Sequence, residues 1–226
     1  MGYKSFYYLQ IPKTGSKYFI GNIYWPLAEE LKKHNINLIN MWDQNSKPVI
    51  TGWDPRIDED TYVVSTFRDP VRQVVSKYCN QFRTSDKPES KYYLNETPDK
   101  KEFFLHVDKY YNNMSKYLAN HSTDNDKDIF QSTEINIESA VRRSKRVNKF
   151  ILESTNPWQV IREILTDMDL PVPDYLYKDL FRQKVNVNNS SRLLYESLST
   201  EEIEHILSRS DVDGPIYEYV RDYRSS

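Results

Sequence analysis

Two short segments of this chain place lysines, hydroxyls, a glycine and an arginine where they could grip phosphates. In the first, Lys13, Thr14, Gly15, Ser16 and Lys17 follow a β-favouring apolar run of Phe6, Tyr7, Tyr8, Leu9 and Ile11. Behind them, Tyr18, Phe19, Ile23, Leu27 and Leu31 recur near helical spacing. A strand that turns through Gly15 into a helix start presents free backbone N–H groups and the positive end of the helix dipole, both suited to an anion. Lys13 and Lys17 add charge, and Thr14 and Ser16 add hydroxyl donors. The same residues also suit an ordinary β-to-α turn with two solvated lysines. The segment is not a Walker A loop, which needs Gly where Gln10 stands and Lys where Ser16 stands.

The second segment is TYVVSTFRDPVRQVVSKY at 61 to 78. Tyr62, Val63, Val64 and Phe67 pattern as a buried strand, Asp69 suits an N-cap and Pro70 the first helical position, so Arg68 falls at a strand's carboxyl end. The helix that follows gathers Val71, Val74, Val75, Tyr78 and Phe82 on one stripe and leaves Ser76 on another face beside Arg72. In an open α/β sheet, ligands lie outside the carboxyl ends of the strands, where both segments would meet. Two anion sites on adjacent edges suit a ligand with two separated phosphates. The structural alternatives are an ion pair for Arg68 and a merely tolerated helix serine for Ser76.

These segments need a scaffold, and the rest of the sequence supplies one. The patterning predicts strands near 4–11, 36–41, 48–51, 61–67 and 147–152, and helices near 16–34, 70–83, 99–119, 133–144, 156–169, 199–209 and 214–222. Strands alternating with helices predict a three-layer α/β fold, its mainly parallel central sheet flanked by helices. No Pro/Gly/Ser linker divides the chain, so residues 1–226 read as a single domain. The polar stretches 84–98 and 120–132 read as loops that shape a cleft.

Together the two motifs resemble the sulfotransferases that use 3′-phosphoadenosine 5′-phosphosulfate (PAPS), in particular the branch of the heparan sulfate 2-O- and 6-O-sulfotransferases with its bacterial and viral relatives. Weaker echoes at NNMSKYLAN (112–120), FILESTNPWQVIREIL (150–165), KVNVN (184–188) and DVDGPIYEYV (211–220) extend the likeness over most of the chain. The resemblance implies a P-loop-like sulfotransferase fold. It also implies that Lys13, Thr14, Gly15, Ser16 and Lys17 bind the 5′-phosphosulfate and that Arg68 and Ser76 bind the 3′-phosphate, with PAPS as co-substrate and no metal. The family often has His at position 10, a second Gly at 16 and Arg at 73, where this chain has Gln10, Ser16 and Gln73.

Sulfuryl transfer moves SO₃ in line from a phosphate oxygen to an acceptor hydroxyl, here expected to belong to a carbohydrate. Lys13 can stabilise the leaving oxygen; one such donor is typically worth roughly 2.7 to 4 kcal/mol. The acceptor must also lose a proton. Relatives commonly carry a Gly-His pair whose His lies near that hydroxyl, but here Gly52 is followed by Trp53 and Asp54. Asp54 is the candidate general base, with Trp53 beside it to raise its pKa by desolvation. The alternative is that Asp54, followed by Pro55, starts a turn. Two rival functions follow: a nucleotide-dependent kinase using similar loop-and-lysine equipment, and a catalytically silent protein that binds PAPS or its desulfated product.

Composition narrows the partners. A net charge of −2 and a pI near 6.1 argue against a general nucleic-acid binder. The run VRRSKRVNK at 141–149 reads either as an attractor of anionic polymer or as a solvated helix end. His34, His106, His121 and His205 show no metal-ligand spacing. Cys79 is the sole cysteine, so no internal disulfide forms. With 18 tyrosines in 226 residues, rings with polar tips must share the core packing. The sequence shows no signal-peptide pattern and no membrane-length apolar run, and it reads as cytoplasmic, unlike the Golgi-anchored animal relatives.

Overall fold

The structure, a computed structural model, describes residues 2–11, 14–39, 53–84, 99–120, 135–152, 156–177 and 189–223. Its centre is a four-stranded parallel sheet in the order β2-β1-β3-β4, from β1 (Ser5–Leu9), β2 (Asn37–Leu38), β3 (Thr61–Thr66) and β4 (Lys149–Ile151). Register runs from Ser5↔Thr61 to Leu9↔Ser65 between β1 and β3, and from Val64↔Lys149 to Thr66↔Ile151 between β3 and β4.

Side chains on a strand alternate between faces, and here both faces are apolar, as a parallel sheet covered on both sides requires. Phe6, Tyr8, Tyr62 and Val64 point into one core with the helical run α1 (Ser16–Phe19), a π-helical turn (Ile20–Tyr24) and α2 (Trp25–Lys33), closed by α7 (Pro157–Asp167). Tyr7, Leu9, Val63 and Phe67 point into the other, against α5 (Asn113–Ala119), α6 (Ile137–Ser144) and α10 (Asp213–Tyr223). A third cluster packs α3 (Pro70–Thr84) and α4 (Lys100–His106) against α8 (Asn189–Glu196) and α9 (Thr200–Arg209). The α/β expectation with a parallel sheet between helices therefore holds.

Tyrosines do much of this packing. Tyr7, Tyr8, Tyr24, Tyr62, Tyr78, Tyr110 and Tyr117 are among the largest fully buried side chains. Tyr62 keeps its polar tip satisfied by donating to Asp167 at 2.6 Å while its ring meets Tyr3 edge-on at 5.0 Å.

Several boundaries differ from the sequence reading, each for a local reason. The helix predicted over 16–34 widens at Ile20–Tyr24, where the Trp25 N–H reaches back to the Ile20 carbonyl; Pro26 lacks the next donor, so the ladder slips there. The helix predicted over 99–119 breaks at Asn112, which sits in the left-handed region at φ 52°, where asparagine is tolerated. Helix α8 had no counterpart in the sequence reading, because its eight residues show the apolar cluster little more than Leu194 and Tyr195. The strand predicted at 48–51 lies outside the described residues. Among the described residues, no helix is long and apolar enough to cross a membrane.

Candidate functional site

β1 connects to β2 on one side of itself, while β3 lies on its other side and leads on to β4, so connections leave the carboxyl ends of β1 and β3 in opposite directions. Such a switch point opens a crevice in a doubly wound sheet. The turn after β1 carries Thr14 and Gly15; the segment after β3 carries Arg68 and Asp69.

Gly15 adopts φ 90°, a conformation open to glycine and strained for side-chain-bearing residues. Its carbonyl accepts from the Phe19 N–H at 3.0 Å, which starts the helical run. Thr14 is buried, and its hydroxyl contacts two oxygens: the Ile11 carbonyl at 2.7 Å and Thr66 Oγ1 at 2.7 Å. Thr66 Oγ1 in turn lies 3.1 Å from the Tyr8 hydroxyl. A carbonyl only accepts, so Thr14 must donate to Ile11. Thr66 must then donate to Thr14, and Tyr8 to Thr66, because each hydroxyl has one proton. The result is a one-way chain, Tyr8 to Thr66 to Thr14 to the Ile11 carbonyl, tying the turn after β1 to the last residue of β3. A second tie runs from Ser65 Oγ to the Leu9 carbonyl at 2.9 Å.

This corrects one expectation. Thr14 is not an outward hydroxyl donor in this structure, since its proton is committed to its own turn; its role is to hold that turn's shape. Lys13 lies outside the described residues, and of Ser16 and Lys17 only the backbone, at the start of α1, is described.

On the other segment, Asp69 caps α3 by accepting from the Arg72 N–H at 2.9 Å, with Pro70 at the first helical position. Arg68 is half-buried immediately before this cap, two residues beyond Thr66. Ser76 is buried, between Gln73 and Lys77, which are buried too. Its i−4 neighbour Arg72 is exposed and lies over the Tyr195 ring at 4.7 Å, so the two do not share one environment. The structure thus brings the Thr14–Gly15 turn and the Arg68 segment to the same end of neighbouring strands.

Asp54 is held differently. It is 2% exposed, and Arg56 grips both of its oxygens, with Nε to Oδ1 at 2.9 Å and Nη2 to Oδ2 at 2.7 Å. Its Oδ1 also accepts the Arg56 backbone N–H at 2.8 Å, and its carbonyl accepts from Ile57 at 3.2 Å. This is the turn geometry of an Asp-Pro pair. The Arg56 hydrogen bonds hold the carboxyl below the usual carboxylate range; burial pushes the other way and is outweighed. The expected upward shift from Trp53 is therefore overturned. Both carboxylate oxygens are engaged, and the Asp54 charge adds to burial in raising the pKa of Tyr7 in the middle of β1.

Beside it, Trp53 donates its backbone N–H to the Asn120 carbonyl at 2.9 Å, and its ring lies under the Arg143 guanidinium at 5.6 Å. Arg143 is buried and donates to the last carbonyls of α5, Leu118 at 3.1 Å and Ala119 at 2.6 Å. The basic run at 141–149 is thus largely structural: Arg146 donates to the Asp58 carbonyl at 2.7 Å and Lys149 pairs with Glu163 at 2.8 Å, leaving Arg142 and Lys145 exposed. Ala140, Arg143 and Ser144 form the buried stripe of α6, a spacing that marks Arg143 as inward-facing. Thr66 and Tyr8 were not singled out by the sequence; a hydroxyl ending a buried strand was the available signal.

Among the described residues no His, Cys, Asp and Glu group has metal-holding geometry, and His106 and His205 are exposed. Burial pushes the Cys79 thiol up to about 12, leaving it unreactive. No family model, curated protein or solved structure matches this chain.

Proposed function

We propose that this chain is a PAPS-dependent sulfotransferase of P-loop-like fold acting on a hydroxyl, most simply that of a carbohydrate, and releasing 3′-phosphoadenosine 5′-phosphate. The observation that carries the reading is the 2.7 Å contact between Thr14 and Thr66. It supports the reading by tying the turn after β1 to the end of β3: in this reading a phosphate on the Thr14–Gly15 turn and a phosphate on Arg68 and Ser76 belong to one ligand spanning the β1/β3 switch point. In this reading Lys13, Gly15, Ser16 and Lys17 hold the 5′-phosphosulfate. The bond from sulfur to the bridging phosphate oxygen breaks as the bond to the acceptor oxygen forms. Lys13 neutralises the charge that grows on the departing phosphate. The acceptor proton goes to a base.

A specific observation favours a second reading. Asp54, the base candidate, is gripped by Arg56 and has a lowered pKa, so a protein that binds the nucleotide without transferring sulfate also accounts for the geometry. Thermal shift tests the nucleotide site. Stabilisation by 3′-phosphoadenosine 5′-phosphate but not by ADP with Mg²⁺ is expected, since a ligand bound to the native state raises its apparent stability. The reverse pattern would make the chain a kinase and end the proposal. Labelled sulfate transfer from PAPS, abolished in Lys13→Ala, then separates the enzyme from the silent binder.

A further inference from the structure

At the carboxyl end of the sheet, Gln10 buries an oxygen that the surrounding hydroxyls leave unsatisfied. The residue as a whole is half-buried, but its Oε1 is shielded from solvent and, among the described residues, has no hydrogen-bond donor. A buried acceptor left unpaired is destabilising and uncommon, and a site completed by a bound group is one of the few reasons to keep one.

The place of this side chain follows from the strand. Leu9 and Ile11 both enter the second core while Phe6 and Tyr8 enter the first, so alternation turns Gln10 to the Tyr8 side of the sheet. One step past the last register pair, Leu9↔Ser65, it comes level with Thr66. The hydroxyl protons there are already committed: Tyr8 donates to Thr66, Thr66 to Thr14 and Thr14 to the Ile11 carbonyl, while Ser65 donates to the Leu9 carbonyl. None of the four is left for Gln10. The position also lies between the two segments that would hold the ligand. It is three residues before Lys13 on its own strand, and level with the residue two before Arg68 on the neighbouring one.

We infer that Gln10 is a specificity-determining residue whose carboxamide oxygen accepts a hydrogen bond from a sugar hydroxyl, that of the nucleotide's ribose or that of the acceptor carbohydrate. The inference deepens the sulfotransferase reading and rests on it for the ligand's identity. Ionised phosphate and sulfuryl oxygens only accept, so the partner lies on a neutral part of the ligand. In that reading the lysines of the turn face the phosphosulfate, and the ribose and the acceptor hydroxyl are the donors on either side of it. Reading a hydroxyl through a buried acceptor discriminates well, because an analogue that lacks the hydroxyl leaves the oxygen unpaired again.

The test compares the full wild-type chain with Gln10→Leu by thermal unfolding without ligand and by calorimetric binding. The ligands are 3′-phosphoadenosine 5′-phosphate, its 2′-deoxy analogue and, with the nucleotide bound, a uronate-bearing tetrasaccharide. Without ligand, Gln10→Leu should unfold about 2 to 4 °C higher than the wild type, since it removes an unpaired buried oxygen. If the donor is the ribose, the wild type binds the nucleotide about tenfold more tightly than its 2′-deoxy analogue, and Gln10→Leu binds the two alike. If the donor is the acceptor sugar, both proteins bind the nucleotides equally and Gln10→Leu binds the tetrasaccharide about tenfold more weakly. Gln10→Met, unbranched and equally long, carries the same comparison where leucine does not fit. Wild-type binding of all three ligands by both variants overturns the inference and leaves the sulfotransferase reading intact. So does a lower unfolding temperature in both, which would mean that the oxygen has a partner within the chain. A wild type that binds no 3′-phosphoadenosine 5′-phosphate ends the sulfotransferase reading, and the role of Gln10 with it.

Discussion

The turn junction at the sheet's carboxyl end and the junction between α5 and α10 are both buried and polar, yet they are built from different materials. At the first, Tyr8, Thr66 and Thr14 link neutral hydroxyls into a chain with one possible direction. At the second, two helices cap each other. Asn112 Oδ1 accepts from the Val212 and Asp213 N–H groups at 3.0 Å, while the Asp213 carboxylate accepts from Met114 at 3.1 Å and Ser115 at 2.7 Å. A hydroxyl chain fixes shape without adding a field, so a site beside it can have its potential set by lysine, arginine and ligand. A buried carboxylate fixes shape more strongly, but its hold depends on pH. Shape and charge are thus assigned to separate parts of the fold.

The largest expected effect comes from the carboxylate. Asp213→Ala strands two buried N–H groups and the Ser115 hydroxyl, and should cost about 3 to 5 kcal/mol in urea unfolding; a loss under about 1 kcal/mol would dissolve the contrast between the junctions. Its pH dependence sharpens the point. Burial raises Asp213 from 3.8 to about 6, against the opposing hydrogen bonds from Ser115 and Met114 and the pull of Lys116. A carboxyl whose folded pKa lies above its unfolded value contributes its extra stability below the unfolded pKa and loses it as pH rises through the folded one. Relative to Asp213→Asn, the wild type should therefore lose stability between about pH 4 and 6, and then level off.

Next comes the hydroxyl chain. Thr66→Val leaves the Tyr8 hydroxyl and the Thr14 oxygen without their shared partner and should cost about 1 to 3 kcal/mol, while Thr66→Ser should be close to wild type. The loss should be the same at pH 5 and pH 8, since every member of the chain is neutral throughout that range. A pH-dependent loss would mean that the chain is charged or reversed. Smallest is the Asp54 pair, because Arg56 is 58% exposed at its side chain. Asp54→Asn should cost about 1 kcal/mol, and if Asp54 is only a turn former, any sulfate transfer should survive it. Loss of turnover with unchanged nucleotide binding would restore Asp54 as the base.

How far the fold could be read in advance depended on the range of the forces involved. The cap of α3 was legible because Asp69 acts within one turn of itself, the same local geometry by which Asn156 and Ser199 cap α7 and α9. The break at Asn112 was not, since a left-handed asparagine is worth adopting only when its amide finds Val212 and Asp213 a hundred residues away. Arg143 looked like part of a solvated basic run, and only the packed end of α5 turns it inward. For the candidate site, residue types could nominate Thr14, Gly15, Arg68 and Ser76, but not the direction of the Thr14 proton nor the fork of Arg56 on Asp54.

By itself the sequence determined the alternation that buries both sheet faces, the proline and glycine positions that start and bend helices, and the residue types able to meet an anion. These depend on neighbours a few positions away, where the chain's geometry leaves few choices. The tertiary structure alone decided that β3 lies beside β1, so that Thr14 touches Thr66 across 52 positions of chain. It also decided which charges are buried together, because burial and pairing are properties of the packed whole, and the free energy of a charge depends on everything that displaces its water.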